Sequence, residues 1–215
     1  LSKLTYEKEY KKDKGEISLF DDEKNRLQKT VSHLLSSYYS CSDHDRKVKL
    51  QQEISDTINK QLEAQAYNPE ILRELRAINL AENNKFFLWH TWFSDVFSRD
   101  DKEGFDIVIG NPPYVVVSDV DKERLYYKYK TKNCLELYSY FFEHSINILH
   151  HNGVLSFITG SLYTKGIKFE PLRIFLENNS QLIAYRNEGD EVFKNVNMPT
   201  STILLYKSNI HNWSF

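Results

Sequence analysis

Cysteine is nearly absent from this chain and long apolar runs are missing, and each shortage excludes a class of protein. Cys41 and Cys134 are the two cysteines in 215 residues, too few for a disulfide framework, so we expect a reducing, cytoplasmic compartment. No signal peptide and no apolar run of about 18 residues occur, which argues against secretion and against contact with a membrane.

An excess of positive charge is also missing. Lys and Arg total 28 against 30 Asp and Glu, which gives a net charge of -2. Surfaces that track nucleic-acid phosphates are normally rich in Lys and Arg. We therefore expect that, if nucleic acid is a partner, most contacts to its backbone come from outside this chain. A hydrophobic content of 40% and an aromatic content of 14% are enough for a globular core.

The first part of the chain reads as helical. Apolar residues recur at helical spacing in two segments, with Leu27, Val31, Leu34 and Leu35 in the first and Leu50, Ile54, Ile58 and Leu62 in the second. A third helix is predicted from Pro69 to about residue 78. The turn at residues 40–45 contains Cys41 and His44, but we assign no metal to it. Residues 1–84 are thus predicted to be a helical appendage.

The remainder, residues 85–215, has the pattern of an α/β domain. Residues 86–97 are rich in aromatic and β-branched side chains and predict a strand or hairpin arm. Buried strands are predicted at 105–110 and 154–160, and the helix between them ends at Gly153 as its left-handed cap. This order is a βαβ crossover, hence a parallel sheet. A helix at 170–178 and strands at 181–185 and 200–207 complete the C-terminal half of a doubly wound sheet.

The most informative stretch is Asn111-Pro112-Pro113-Tyr114, directly behind the first strand. Two prolines fix two φ angles and remove two backbone donors, so the loop is stiff and rich in acceptors. The Asn111 side-chain oxygen and the Pro112 carbonyl can accept the two N–H bonds of a planar amino group, and Tyr114 can cover the face of its ring. Adenine is a ligand of this kind.

Residues 106–114 read Asp-Ile-Val-Ile-Gly-Asn-Pro-Pro-Tyr and resemble the catalytic motif of amino-methyltransferases that use S-adenosylmethionine. The stretch is most similar to adenine-specific (N6) DNA methyltransferases. The lead-in at 86–97 and 104–106 resembles the methyltransferase region of fused type II restriction-modification enzymes. The resemblance implies a Rossmann-like fold, catalytic roles for Asn111, Pro112, Pro113 and Tyr114, and double-stranded DNA with a flipped adenine as the partner.

Two further segments carry the resemblance. Residues 135–141 are similar to the segment that touches the cofactor in the family, which implies cofactor contacts by Leu137 and Tyr138 together with Asn111. Glu136 stands where family members often have Asp. Residues 191–196 resemble the motif whose aromatic residue holds the flipped adenine, which implies substrate binding by Phe193. Without the resemblance, Phe193 would read as a hydrophobic anchor at the start of a hairpin.

The family's main S-adenosylmethionine motif is absent. A glycine-rich turn after the first strand and an acid after the second normally hold this cofactor, and the seven glycines of the chain include no Gly-x-Gly behind a strand. We expect these elements upstream, in remaining domains of a parent polypeptide, and we expect the isolated fragment to be inactive. Three alternatives remain open: a protein-glutamine methyltransferase, an RNA methyltransferase, and a noncatalytic DNA-binding or assembly module.

Overall fold

The computed structural model of the chain describes residues 19–64, 73, 89–118, 129–190, 192–193, 198–210 and 212–215. It divides into two compact units, residues 1–98 and 99–215. The helices and strands are α1 (Leu19–Ser40), α2 (His44–Ala64), α3 (Trp89–Trp92), α4 (Ser94–Phe97), β1 (Phe105–Gly110), α5 (Leu137–Ile148), β2 (Leu149–Gly160), α6 (Glu170–Asn179), β3 (Ser180–Gly189) and β4 (Thr200–Lys207). Among the described helices, none has the length and apolar character needed to cross a membrane.

The first unit contains the two predicted amphipathic helices. Helices α1 and α2 pack against each other through fully or almost fully buried apolar side chains: Val31, Leu35, Leu50, Ile54 and Ile58. In the turn between the helices, the Asp43 carboxylate accepts a hydrogen bond from the Arg46 backbone N–H at 2.7 Å, as an N-cap residue does. The predicted third helix lies outside the described residues except for Arg73.

The prediction of a strand or hairpin arm at residues 86–97 is wrong for its described part. Residues 89–92 and 94–97 form α3 and α4. Trp89 and Phe93, four residues apart, stack with ring centroids 5.8 Å apart, which is the neighbour relation of a helix and not of a strand. The aromatic composition of this stretch favours a strand, but the spacing of its aromatic residues favours a helix.

The second unit is built on a four-stranded sheet with the order β1-β2-β4-β3. Strands β1 and β2 are parallel with α5 between them, so the predicted βαβ crossover is confirmed. Strand β4 is antiparallel to both of its neighbours, a reversal that the sequence reading did not include. The fold is that of the C-terminal half of a Rossmann-like sheet. Its core is formed by Phe142, Ile146, Leu155, Phe157, Tyr163, Leu172, Leu176, Ile203 and Leu205 with their neighbours.

The turn between α5 and β2 differs from its prediction. Helix α5 ends at Ile148, and Leu149 is already extended. Asn152, and not Gly153, adopts the left-handed conformation, with φ of 69°. Asn visits this region more readily than most residues because its short amide can bond to nearby backbone groups. Gly153 is required for another reason, since a Cβ there would lie 2.9 Å from the Phe105 carbonyl oxygen.

Charged side chains fix the start of β1. The Asp106 carboxylate is 2.9 Å from the Arg99 guanidinium and 3.1 Å from the His150 Nε2. Arg99 also donates to the Gly104 carbonyl. The hydrogen bond from Arg99 holds the pKa of Asp106 below its usual range, and the charges of His150 and Lys102 act in the same direction. Asp106 therefore links the amino ends of β1 and β2. Asn111 lies at the opposite, carboxyl end of β1.

This pairing predicts a dependence of stability on pH. A carboxyl whose pKa is lowered in the folded state contributes stability above its ordinary pKa of about 3.9, and that contribution is lost as the pH falls through the lowered value. We expect Asp106→Asn to reduce the free energy of unfolding at pH 7 and to have little effect at pH 2. Urea unfolding at both pH values tests this, with the exposed Asp101 replaced by Asn as the control. An equal loss at both pH values would contradict it.

Candidate functional site

The Asn111-Pro112-Pro113-Tyr114 loop leaves the sheet at the carboxyl end of β1. Strand β2 is parallel to β1 and ends at Gly160, so the segments that follow both strands meet at the same edge. In the loop, Pro112 is buried, whereas Asn111 and Pro113 are exposed. The buried proline fixes the loop to the protein, and the amide of Asn111 is left accessible to a ligand.

Tyr114 is held in place by its hydroxyl group. The phenol donates a hydrogen bond to the Ile158 backbone carbonyl in β2 at 3.0 Å, and the ring is partly buried. Desolvation raises the pKa of Tyr114 above its ordinary value. A phenol at or above its ordinary pKa is protonated at neutral pH, so the hydroxyl is the donor in this bond and β2 fixes the orientation of the ring.

Tyr114 contacts two other aromatic residues that the sequence singled out. Its ring centroid lies 6.2 Å from that of Phe193 at an interplanar angle of 64°, and 6.4 Å from that of Tyr138 at 89°. Both are edge-to-face contacts. The structure thus brings Tyr114, Phe193 and Tyr138 together. Because Tyr114 and Phe193 touch directly, a base that stacks on both rings has to separate them first.

The segment after the loop positions the residues implied in cofactor binding. The Leu137 backbone N–H donates to the Val115 carbonyl at 2.8 Å, and the Val117 N–H donates to the Leu135 carbonyl at 2.7 Å. Leu135 has a φ of 63°, an unusual conformation for a branched residue. This isolated antiparallel bridge places the start of α5 beside the Asn111 loop, although the two segments are far apart in sequence.

Leu137 and Tyr138 differ in accessibility. Leu137 is partly buried, while Tyr138 is 3% exposed and its ring stacks on Phe169 at 5.6 Å. Burial raises the pKa of Tyr138 far above its ordinary value, with the Glu136 charge adding to the effect. Asn111 and Leu137 therefore keep accessible surface, whereas the Tyr138 ring belongs to the core.

Sequence reasoning missed two polar contacts next to these residues. Lys168 pairs with Glu136 at 2.8 Å, which joins the segment after β2 to the start of α5. The buried carboxylate of Glu143 accepts hydrogen bonds from the Lys130 and Thr131 backbone N–H groups, both at 2.9 Å. Both contacts join residues that are not neighbours in sequence. No local sequence pattern therefore predicts them.

Met198 also lies near the site, although no sequence motif points to it. A Cβ added to Gly160 would lie 3.1 Å from the Met198 sulfur, so this side chain lies against the carboxyl end of β2. The neighbouring Ser161 N–H donates to the Pro199 carbonyl at 2.8 Å. The segment just before β4 therefore lies at the same end of the sheet as Asn111.

The described residues can be compared with the requirements of a metal site and of an S-adenosylmethionine site. In the described residues, no group of three His, Cys, Asp or Glu side chains is arranged to hold a metal ion. For S-adenosylmethionine, Asn111 and Leu137 fit one wall of a site, since both lie at the carboxyl edge of the sheet with surface to offer.

We compared the sequence of the chain with models of known protein families. Residues 5–193 match the model of the Eco57I restriction-modification methylase. The chain belongs to the Eco57I restriction-modification methylase family. Among its relatives, the type II restriction enzyme and methyltransferase RM.Eco57I of Escherichia coli is 36% identical over 52% of this chain and 12% of its own length. A protein of Methanocaldococcus jannaschii assigned to the same class is 28% identical over 81% of the chain and 16% of its own length.

The chain accordingly spans less than a fifth of the length of these two methylase-family relatives. Among solved structures, a protein of Listeria monocytogenes assigned as a class I S-adenosylmethionine-dependent methyltransferase is 14% identical, with a TM-score of 0.44 over 77% of this chain and 53% of its own length.

The Tyr114 hydrogen bond gives a testable prediction for the methylase loop. Tyr114→Phe keeps the ring and removes the bond to Ile158, so we expect the free energy of unfolding to fall by about 0.5–1.5 kcal/mol. Tyr206→Phe, on a partly buried tyrosine of β4, is the control for loss of a phenol hydroxyl. Urea unfolding measures both variants. A Tyr114→Phe protein as stable as the parent would show that the hydrogen bond adds nothing.

Proposed function

We propose that this chain is the target-base half of a site-specific DNA methyltransferase that transfers a methyl group from S-adenosylmethionine to N6 of a flipped adenine in a restriction-modification system. The observation that carries the proposal is the Asn111-Pro112-Pro113-Tyr114 loop at the carboxyl end of β1, with the Tyr114 ring in contact with Phe193. Membership of the restriction-modification methylase family supports it.

The loop suits the chemistry of an aromatic amino group. The nitrogen lone pair of adenine N6 is delocalised into the ring, so the group is a poor nucleophile. The Asn111 side-chain oxygen and the Pro112 carbonyl accept the two N–H bonds and favour a pyramidal nitrogen with its lone pair free. No general base has to act before the transfer. The methyl group would come from the cofactor's sulfonium, whose sulfur would keep the electrons of the broken S–C bond, and the proton of the methylated nitrogen would then pass to water.

The aromatic residues suit a base outside the helix. An adenine inside a duplex cannot reach the Asn111 loop, so the nucleotide has to flip out of the stack at a cost of a few kcal/mol. Stacking on Tyr114 offsets part of that cost, and Phe193 closes the other side once the two rings have separated. The hydrogen bond from Tyr114 to Ile158 keeps its ring in place during this exchange.

Alignment is the main task left to the protein. S-Adenosylmethionine, when bound, supplies a methyl group that is already strongly electrophilic. Asn111 and Leu137 would contact the cofactor, and the prolines keep Asn111 rigid relative to it. Positioning of this kind can contribute about 7–11 kcal/mol in favourable systems.

The substrate class is tested by a methyl-transfer assay with the full-length enzyme. A radiolabelled methyl donor is offered with double-stranded DNA, with RNA and with a glutamine-containing protein in separate reactions. We expect incorporation into DNA alone. Incorporation into RNA or into glutamine would replace the proposal with the corresponding methyltransferase, and no incorporation into any substrate would favour a noncatalytic module.

The proposal that this chain holds only part of the cofactor site is tested by calorimetry on the 215-residue chain alone. Because its residues supply only one wall of the cofactor site, we expect no S-adenosylmethionine binding in the micromolar range. The full-length enzyme is the positive control. Micromolar affinity of the isolated chain would contradict this proposal.

A further inference from the structure

The 161–169 loop, which follows β2, is a rigid element next to the site. The Arg173 guanidinium donates to the Tyr163 and Gly166 carbonyls, both at 2.8 Å. The Gly166 N–H donates to the Leu162 carbonyl at 2.8 Å. The side chains of Tyr163 and Phe169 are at most 1% exposed to solvent, and they anchor the loop in the core. The loop is therefore held by both its backbone and its side chains.

Gly166 shows how closely the loop is packed. A Cβ at this position would lie 2.9 Å from the Phe169 ring and 3.0 Å from the Leu162 carbonyl oxygen. Distances this short require either the ring or the backbone to move. The compact turn at Gly166 fixes the direction of the next residue, Ile167.

This rigid loop presents apolar side chains to solvent. Ile167 is 88% exposed and is the most exposed large apolar side chain among the described residues, and Leu162 is 55% exposed. Solvent exposure of this extent is unfavourable for a side chain that the surrounding loop holds in place. Lys165 and Lys168, on either side of Ile167, are exposed as well. The surface of the loop is thus apolar at its tip and basic around it.

The loop is connected directly to the residues of the target-base site. Phe169 stacks on Tyr138, which contacts Tyr114. Lys168 pairs with Glu136 at 2.8 Å, and Glu136 forms a bridge to Val116, two residues beyond Tyr114. The loop is therefore joined to the Tyr114 ring by packed side chains and an ion pair.

We propose that Ile167 is a wedge that enters the DNA duplex beside the flipped adenine, with Leu162 against the neighbouring sugar and Lys165 near a phosphate. This inference rests on the proposed function, since it assigns a DNA contact to the same site. Apolar side chains such as Leu, Ile and Met serve as wedges between base steps in DNA-bending proteins. A side chain in this place is a positioning residue, because it stabilises the open stack and does not touch the reacting atoms.

Charge favours DNA over another apolar partner for this surface. The chain as a whole carries a net charge of -2, whereas residues 161–169 contain two exposed lysines and no acid, although Glu136 pairs with Lys168 and the exposed Glu170 follows the loop directly. Lys168 keeps N–H donors beyond the one used by Glu136. An apolar tip between ammonium groups is complementary to a base stack between phosphates.

The test is the single-turnover methylation rate of the full-length Ile167→Ala enzyme on two duplexes. One has the target adenine in a matched pair, and the other has it opposite a mismatched base, for which flipping costs less. We expect a rate about tenfold lower than that of the parent enzyme on the matched duplex and about equal to it on the mismatched one. Ile174→Ala, at a half-exposed isoleucine of α6, is the control and should not differ from the parent on either duplex.

Each result decides for or against the wedge. Equal rates for Ile167→Ala and the parent on both duplexes would overturn it. An equal loss on both duplexes would also overturn it, because it would show that Ile167 packs against another part of the enzyme or affects a step other than flipping. Failure of the proposed function can be distinguished from failure of the wedge proposal, because the parent enzyme itself would then leave both duplexes unmethylated.

Discussion

Replacing Asn111 by Ala in the full-length enzyme is expected to lower methyl transfer by about 10²–10³-fold, the usual cost of losing one hydrogen bond made in the transition state. Asn111 is exposed at the carboxyl end of β1, so its removal leaves no cavity. In the proposed mechanism the neighbouring Pro112 carbonyl would still accept one N–H bond of the adenine amino group, but the second would no longer be accepted. DNA affinity should change by less than about twofold, since the phosphate contacts that dominate affinity are untouched.

Single-turnover rates and DNA titrations of the parent and variant separate these two effects. Asn133→Ala is the matched control, because Asn133 is also an exposed asparagine of the same unit but lies in the short helix before α5. Turnover by Asn111→Ala at the parent rate would remove this residue from the mechanism. A parallel loss of DNA affinity would assign it to substrate binding and not to the chemical step.

Phe142→Ala is expected to cost about 3–5 kcal/mol of folding free energy, the range for truncating a large aromatic side chain in a closed core. Phe142 is fully buried in α5. Its ring packs against Phe157 of β2 at 5.1 Å and against Tyr163 at 5.4 Å. The cavity would open between the helix that begins at the site and the strand that holds Tyr114, so loop geometry should be lost together with stability.

The control for this prediction is the adjacent residue of the same helix. Phe141 is 42% exposed. Phe141→Ala therefore removes the same phenyl ring from α5 without opening a cavity in the core. We expect it to cost less than about 1 kcal/mol, as substitutions on the surface do. Urea unfolding of both variants gives the comparison. Similar costs for the two would mean that α5 does not pack as described.

Local patterns were sufficient for much of the second unit. The apolar run before Gly110, the run after Gly153 and the helix between them predicted parallel pairing, because a strand, a helix and a strand at this spacing permit few other arrangements. The two amphipathic helices of the first unit were equally readable, since their apolar residues recur with one period. In both cases the information lies within a short stretch of sequence.

Errors arose where composition and period disagreed. Residues 89–97 are rich in aromatic side chains, which favours a strand, but Trp89 and Phe93 are four residues apart, which favours a helix. The structure follows the spacing. At the end of α5, the sequence predicts Gly153 as the cap because glycine adopts a left-handed conformation most easily, yet Asn152 adopts it.

The candidate site was only partly accessible from sequence. The Asn111 loop is a contiguous motif, so its position and chemistry could be predicted. Contacts between Tyr114, Tyr138 and Phe193 depend on three segments that meet at one edge of the sheet, and the resemblance to a family named these residues without giving their geometry. The Lys168–Glu136 pair and the exposed Ile167 had no signal in the sequence, because both depend on how a loop packs.

Analysis of the methylated product tests the central claim most directly. DNA methylated by the full-length enzyme is digested to nucleosides, which are separated and identified by mass spectrometry, with DNA from the Asn111→Ala enzyme treated in parallel. The account predicts N6-methyladenine as the modified base with the parent enzyme and its near absence with the variant. Methylation of cytosine, or N6-methyladenine in equal amounts from both enzymes, would contradict it.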